Sequence, residues 1–222
     1  TLAAILSELD PDAMIRSNAK VSFVASPNNP TGNAQTVATL EKVIRGSTGI
    51  VVIDEAYADF CGQNFLSRIR EFPNLVVLRT FSKVHGLAGL RVGYAAARKQ
   101  VVERLGRVKI PFTVGALSEK IALEALRDDS FVRETIKVIT EERPQLAKGL
   151  NNLFLQVYPS DANFLLVMVG QRLNELMRFL LDGGIAVRGQ RPGSAVEGCF
   201  RVTVGRREHN QRLIEAIGAF SR

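Results

Sequence analysis

The chain reads Leu75-Val76-Val77-Leu78-Arg79-Thr80-Phe81-Ser82-Lys83, and Arg91 follows eight residues after the lysine. The apolar first half of this stretch predicts a buried strand, and the second half predicts a hydroxyl-rich turn that carries one amine. An amine beside hydroxyls and a guanidinium suits a small molecule with both an aldehyde and a phosphate. The amine can bond to the aldehyde while the other groups bind the phosphate. Taken alone, the stretch is better explained by a buried or salt-bridged lysine.

Two upstream segments have the same form, a β-rich run followed by polar residues. The run Val21 to Ala25 leads into Ser26-Pro27-Asn28-Asn29-Pro30-Thr31-Gly32, and the run Ile50 to Ile53 leads into Asp54-Glu55-Ala56-Tyr57. A helix is predicted between them, from Gln35 to Arg45, ended by Gly46. Strands that alternate with helices predict a parallel α/β sheet, in which ligands bind at the carboxyl ends of the strands. We therefore expect the three polar clusters at one edge of one sheet.

The rest of the chain is predicted from its apolar periodicity. The sheet continues through residues 92–95, and helices follow at 100–107, 115–126 and 130–154, with Pro144 marking a kink or join in the last one. Beyond Pro159 we predict strands at 163–169, 185–188 and 199–204 and helices at 171–181 and 208–220. An opening helix is predicted from Thr1 to Leu9. The predicted domains are a large domain at 1–128, a connecting long helix at 129–158 and a small C-terminal α/β domain at 159–222.

The composition excludes several classes of protein. The net charge of +7 comes from 29 basic and 22 acidic residues spread along the chain, so we expect no nucleic-acid partner. Cys61 and Cys199 form no disulfide framework and share no metal-like spacing with the two histidines, which predicts no metal site and favours the cytoplasm. No apolar stretch approaches the length of a membrane span, so we expect no membrane partner.

Three motifs, in this order, resemble the pyridoxal-phosphate-dependent aminotransferases of fold type I. They are Asn-Pro-Thr-Gly at 29–32, Asp-Glu-Ala-Tyr at 54–57, and Ser-Lys at 82–83 with Arg91. The doubled asparagine at 28–29, Ala-Gly-Leu-Arg at 88–91 and Phe-Arg-Val-Thr-Val-Gly at 200–205 are similar to the histidinol-phosphate aminotransferase branch. The resemblance implies an α/β fold, with part of a large domain built on a mostly parallel sheet and a small C-terminal domain.

The resemblance also assigns roles around pyridoxal 5'-phosphate. Lys83 is the catalytic residue, which forms a Schiff base with the cofactor and later moves the proton at the substrate carbon. Asp54 pairs with the pyridine nitrogen, although an aspartate after a strand also serves as a turn cap. Tyr57 and Asn29 hydrogen-bond the phenolic oxygen, and an ordinary turn residue is the alternative for Asn29.

The phosphate and the substrate complete these implied assignments. Thr80, Ser82 and Arg91 hold the cofactor phosphate, and the glycines near Arg91 predict close backbone packing that argues against a merely exposed arginine. Arg201 lies within an apolar strand pattern, where a charge is costly unless paired, and binds the substrate carboxylate. Arg188, after the strand Ile185–Val187, binds a distal phosphate, with a solvated loop arginine as the alternative.

The implied reaction moves an amino group between a small-molecule amino donor, best represented by L-histidinol phosphate, and the 2-oxo acid 2-oxoglutarate, in a homodimer. A decarboxylase of the same fold, such as threonine-phosphate decarboxylase, and a non-catalytic fragment remain alternatives. The family's Gly-rich phosphate turn and the tyrosine that reaches the neighbouring subunit have no match here. We therefore expect the C-terminal portion of a longer aminotransferase, with an incomplete site and an exposed apolar face. We also expect a cis Asn29–Pro30 bond.

Overall fold

A computed structural model describes residues 9–220, which divide into two compact units. The N-terminal unit comprises residues 9–28 and 34–135, and the C-terminal unit comprises residues 29–33 and 136–220. The predicted opening helix lies outside the described residues apart from Leu9, and the predicted domain boundaries stay a prediction. Within residues 9–220, no helix is long and apolar enough to cross a membrane, and no three His, Cys, Asp or Glu side chains are grouped as metal ligands would be.

The N-terminal unit is built on a four-stranded sheet. Its strands are β1 (Val21–Ala25), β2 (Ile50–Asp54), β3 (Leu75–Thr80) and β4 (Gly93–Ala97), side by side in sequence order. The first three are parallel and β4 is antiparallel to β3, which confirms the predicted mostly parallel α/β sheet. Ala25 lies opposite Asp54, and Asp54 lies opposite Leu78. The polar residues after all three strands therefore start at the same edge.

The helices that begin in this unit are α1 (Pro11–Arg16), α2 (Val37–Gly46), α3 (Lys99–Val108), α4 (Ala116–Ala125) and α5 (Asp129–Asn151). Short α1 was not predicted; Asp10 Oδ1 accepts the amides of residues 12 and 13 at 3.0 Å each, and proline occupies the first helical position. Helix α2 begins at Val37 rather than at the predicted Gln35. The reason is local: the Thr36 side chain caps the helix, and the Gln35 amide donates to the Ser26 hydroxyl instead.

The two faces of this sheet are covered differently. One face carries a core in which Leu40, Val43 and Ile44 of α2 pack in a cluster with strand residues such as Ile53 and Val77. On the other face, the side chains of Val21 and Phe23 are 49% and 72% exposed. Val52 and Val76, which continue the row of Phe23 across β2 and β3, are buried. The predicted exposed apolar face is therefore present only at β1.

Helix α5 runs through Pro144 as one element, so that residue does not join two helices. It ends at Asn151 rather than at the predicted position 154, because Phe154 has a positive φ of 62° that a helix does not accept.

The C-terminal unit holds a second, antiparallel four-stranded sheet in the order β5-β6-β8-β7. Its strands are β5 (Gln156–Val157), β6 (Phe164–Met168), β7 (Arg188–Gly189) and β8 (Cys199–Thr203), with helices α6 (Leu173–Asp182) and α7 (Arg207–Phe220). The small α/β domain is thus confirmed as a fold, although β5 was not predicted. The strand predicted at 185–188 has the wrong bounds, because β7 begins only at Arg188. The Ile185 amide instead donates to the Leu180 carbonyl at the end of α6.

Candidate active site

Asp54 ends β2 and starts a tight turn. Its Oδ1 accepts the amide of Ala56 at 2.9 Å, and the turn continues into a short 3-10 segment, Ala58–Phe60. The alternative role as a turn cap is therefore real, but it uses only one carboxylate oxygen. Within the described N-terminal unit, Oδ2 has no hydrogen-bond partner. That oxygen can accept a proton-bearing ring nitrogen.

Lys83 lies beside Tyr57. Its Nζ is 5.0 Å from the centre of the tyrosine ring, close enough for a cation–π contact, and Tyr57 is buried. The turn is closed by the Gly86 amide, which donates to the Lys83 carbonyl at 3.0 Å, with Gly86 in a left-handed conformation. No carboxylate in the described part of this unit pairs with Lys83. The alternative of a salt-bridged structural lysine has no support there.

The three predicted phosphate ligands lie at the end of β3 and in its connection to β4. The Thr80 hydroxyl accepts the amide of Ser82 at 3.0 Å, so it orders the backbone next to the lysine. Arg91 is exposed, has a left-handed φ of 55°, and donates from Nη1 to the Ala88 carbonyl at 3.0 Å. Because no described carboxylate of this unit pairs with it, the Arg91 guanidinium can bind an anion.

The predicted close packing around Arg91 is only partly correct. A Cβ at Gly93 would lie 2.8 Å from the Arg79 carbonyl oxygen, because β4 approaches β3 closely there. A Cβ at Gly89 would meet no atom within 4 Å, because that residue lies in an exposed 3-10 turn, Ala88–Leu90. The argument against an exposed Arg91 is therefore wrong at Gly89.

A charge network that we did not predict lies beside Tyr57. Arg79 donates to Glu55 Oε2 at 2.8 Å and to Asp59 Oδ1 at 2.7 Å, and the Phe65 amide donates to Glu55 Oε1 at 2.6 Å. Burial raises the pKa of Glu55, and the Phe65 amide and Arg79 oppose that shift. The sequence signal was available, since Arg79 interrupts an apolar strand as Arg201 does, and a charge there needs partners.

In the C-terminal unit, Arg201 and Asn29 are in direct contact. Arg201 Nη1 donates to Asn29 Oδ1, and the guanidinium lies 5.0 Å over the ring of Phe164. The Asn29–Pro30 bond is cis, which confirms that prediction, and the Ser26–Pro27 bond is cis as well. No described carboxylate of this unit pairs with Arg201, so its remaining donors can bind an anion.

Arg188 lies directly opposite Arg201 on the neighbouring strand. The predicted position of Arg188 after the strand Ile185–Val187 is wrong, because Arg188 itself starts β7. Residues directly opposite each other share one face of an antiparallel sheet, and like charges in such a pair are destabilising. An anion bound between the two guanidiniums would remove that repulsion. Sequence spacing alone did not show that the two arginines are paired.

The aminotransferase class I and II family matches residues 1–217 of this chain. The chain belongs to the class I and II aminotransferases. It is 46% identical over 200 residues to the histidinol-phosphate aminotransferase of Thermococcus gammatolerans, covering 90% of this chain and 56% of that protein. The chain therefore spans little more than half of that relative's length.

Two solved structures show the same fold. The histidinol-phosphate aminotransferase of Sinorhizobium meliloti, in complex with pyridoxal-5'-phosphate, is 26% identical with a TM-score of 0.82, covering 96% of this chain and 63% of that one. The L-threonine-O-3-phosphate decarboxylase of Porphyromonas gingivalis is 25% identical with a TM-score of 0.83, covering 92% of this chain and 65% of that one. Aminotransferases of this family and a decarboxylase thus share this architecture.

Three side chains of this chain fit pyridoxal phosphate in their chemistry. An amine without a carboxylate partner, a carboxylate oxygen without a donor and a guanidinium available to an anion are the groups that an aldehyde, a pyridine nitrogen and a phosphate require. They are supplied by Lys83, Asp54 and Arg91 within the N-terminal unit. The individual roles stay predictions, and they are taken up below as proposals.

Proposed function

We propose that this chain is part of a pyridoxal-phosphate-dependent aminotransferase that moves an amino group between L-histidinol phosphate and 2-oxoglutarate. The observation that carries the proposal is the Lys83 amine, 5.0 Å from the centre of the Tyr57 ring and without a carboxylate partner in the described N-terminal unit. A lysine held in this way is available as a nucleophile and a base, whereas a salt-bridged lysine is not. Family membership supplies the reaction class.

When bound, pyridoxal phosphate supplies an aldehyde that bonds to amines and a ring that accepts the electrons released at the substrate carbon. Lys83 would hold the aldehyde carbon of the cofactor, and its free Nζ would carry the proton to and from the substrate carbon. The second oxygen of Asp54 would keep a proton on the ring nitrogen, and the hydroxyl of Tyr57 and the amide of Asn29 would bind the phenolic oxygen. Thr80, Ser82 and Arg91 would bind the phosphate.

The choice of substrate rests on the paired arginines of the C-terminal unit. L-histidinol phosphate carries a phosphate and no carboxylate, whereas 2-oxoglutarate carries carboxylates and no phosphate. We assign the phosphate to Arg188 and the carboxylate to Arg201. The cross-strand pairing of Arg188 with Arg201 supports the binding of anions at this sheet face, because like charges directly opposite each other repel.

We also propose that the protein acts as a homodimer. The end of α3 and its connection to α4 are strongly apolar at the surface: Val108, Ile110 and Phe112 are 79%, 73% and 99% exposed. Contiguous exposed apolar side chains mark interaction surfaces. In sedimentation velocity, we expect the Phe112→Ser dimer to dissociate at a higher protein concentration than the unaltered dimer. Phe154→Ser, at an equally exposed phenylalanine, should leave that concentration unchanged. Equal dissociation of both variants would contradict the role of this surface in the dimer.

A cytoplasmic location stays a prediction from the cysteine content.

The experiment for the function follows the absorbance of the full-length protein loaded with cofactor. Addition of L-histidinol phosphate should remove the band of the enzyme-bound aldehyde, and 2-oxoglutarate should restore it, because an aminotransferase leaves the amine on the cofactor. Lys83→Ala should abolish the cycle. Lys99→Ala, at an exposed lysine of α3, should leave it intact. A band that 2-oxoglutarate fails to restore would contradict the proposal.

The second candidate is a decarboxylase that acts on an amino-acid phosphate. The similarity to the L-threonine-O-3-phosphate decarboxylase of P. gingivalis favours it, and the same arginine pair could hold a carboxylate and a phosphate. Release of carbon dioxide from L-threonine phosphate, with no need for an oxo acid, would establish it. The identity to the histidinol-phosphate aminotransferase of T. gammatolerans is higher, which ranks the aminotransferase first.

A further inference from the structure

Tyr57 lies between two acidic residues that one arginine holds. Glu55 precedes it by two residues and Asp59 follows it by two. Arg79 Nε and Nη2 lie 2.8 Å from Glu55 Oε2, and Nη1 donates to Asp59 Oδ1 at 2.7 Å. The guanidinium thus grips the Tyr57 turn on both sides of the tyrosine.

The network is closed and mostly buried. The side chains of Glu55 and Arg79 are 1% and 10% exposed, and that of Asp59 is 28% exposed. The second oxygen of Glu55 accepts the Phe65 amide at 2.6 Å. Burying a carboxylate and a guanidinium is costly and is repaid only by good geometry, so such a network holds its members in one arrangement.

The same arginine is tied to the segment that carries Lys83. Arg79 lies in β3, four residues before the lysine, and the Glu55 amide donates to the carbonyl of Leu78 at 3.0 Å. Between Arg79 and Lys83, the Phe81 amide donates to the Val92 carbonyl and the Ser82 amide to Thr80 Oγ1. The backbone between Arg79 and Lys83 is therefore fixed by hydrogen bonds at residues 81 and 82.

We propose that Arg79 is a positioning residue that holds the ring of Tyr57 beside the amine of Lys83 through Glu55 and Asp59. The effect of Arg79 on cofactor binding rests on the proposed function, since Tyr57 and Lys83 are the groups assigned to the cofactor. The quantity that the network would control is the 5.0 Å distance between Lys83 Nζ and the centre of the Tyr57 ring. Loss of one of the two ion pairs of Arg79 should increase that distance.

The chain offers a control of the same kind, a second arginine between two carboxylates. Arg68 also binds two carboxylates, Glu41 at 2.6 Å and Glu71 at 2.6 Å, and it packs on the ring of Phe65. Glu71 belongs to neither the Tyr57 turn nor the Lys83 segment. Glu71→Gln therefore removes one ion pair of Arg68 at a residue outside the candidate site. Asp59→Asn removes one ion pair of Arg79 next to Tyr57.

The test uses the full-length protein without cofactor, with its lysines dimethylated by ¹³C-formaldehyde and recorded by NMR. The Lys83 signal is identified by its loss in Lys83→Arg, and a methylammonium over an aromatic face is shifted by the ring. We expect Asp59→Asn and Arg79→Lys to move that signal towards the position of exposed lysines such as Lys99, with no change in the control Glu71→Gln. Because Asp59 is partly exposed, its variant remains informative if Arg79→Lys does not fold.

A second readout separates this inference from the proposed function. The dissociation constant of pyridoxal phosphate should rise about 2- to 30-fold in the site variants, as expected for coupling through a packed network, and stay constant in the controls. If the unaltered protein binds no pyridoxal phosphate, the proposed function fails while the NMR signal still decides the inference. An unmoved Lys83 signal in Asp59→Asn, or an equal shift in Glu71→Gln, would overturn it.

Discussion

Replacing Arg188 with glutamine should weaken binding of phosphorylated substrates selectively. The residue lies opposite Arg201 across β7 and β8, on the same face of the sheet. Arg188→Gln keeps a polar side chain of similar length but removes the charge that we assign to a phosphate. It also removes the repulsion between the two guanidiniums, so an unphosphorylated substrate should not bind less well.

The size of the effect follows from the exposure of the side chain. A hydrogen bond to a charged group contributes about 1.5–3 kcal/mol, and Arg188 is exposed to solvent, which places the expected loss near the lower limit. A loss of about 1.5 kcal/mol is roughly a tenfold change in an equilibrium constant. Because the phosphate is distant from the reacting carbon, the same energy should be lost in ground and transition states. We therefore expect a KM about ten times higher with kcat unchanged.

The assay compares steady-state kinetics of the full-length protein with L-histidinol phosphate and with L-histidinol. Arg178→Gln, at an exposed arginine of α6 outside the candidate site, controls for the general loss of positive charge. Arg201→Gln should instead weaken every substrate that carries a carboxylate. Equal losses on L-histidinol phosphate and L-histidinol in Arg188→Gln would refute the phosphate role.

Three further predictions concern stability and reactivity. Asn74→Ala should lower the free energy of unfolding by about 1–3 kcal/mol in urea titrations relative to exposed Asn152→Ala, because Asn74 Nδ2 lies 2.9–3.2 Å from three backbone carbonyls that would lose their donor. Burial lowers the pKa of His85, so below about pH 6.5 the unfolded state binds more protons than the folded state. Melting temperatures should therefore fall on acidification in that range, and His85→Phe should make this pH dependence shallower. An unchanged pH dependence would contradict the buried state of His85. Cys199 is buried with its pKa raised to about 11, so a thiol reagent at pH 8 should label Cys61 first and Cys199 only on unfolding; early labelling of Cys199 would contradict its burial.

The sequence predicted the strands of the N-terminal unit well because each is a short apolar run that ends in turn residues. The runs at 21–25 and 50–53 match β1 and β2 to within one residue. Bounds failed where a tertiary hydrogen bond replaced a local preference. Gln35 bonds to Ser26 rather than starting α2, and Ile185 bonds to the end of α6 rather than starting β7.

The candidate site was only partly accessible to sequence reasoning. Motif spacing pointed to Lys83, Asp54 and Arg201 one by one, but it contained no information on which side chains meet. The contact between Arg201 and Asn29, 172 residues apart, depends on the fold, as does the grip of Arg79 on both sides of Tyr57. Single charges inside apolar strands predict that partners exist without saying which ones they are.

The central claim is that the Lys83 amine bonds to the aldehyde of pyridoxal phosphate. Borohydride reduction of the cofactor-loaded, full-length protein makes that bond permanent, and peptide mapping by mass spectrometry then locates the modified lysine. We expect one dominant label on the peptide that contains Lys83, and none there after a substrate amine has displaced the lysine. A dominant label on Lys99 or Lys109 instead would contradict it.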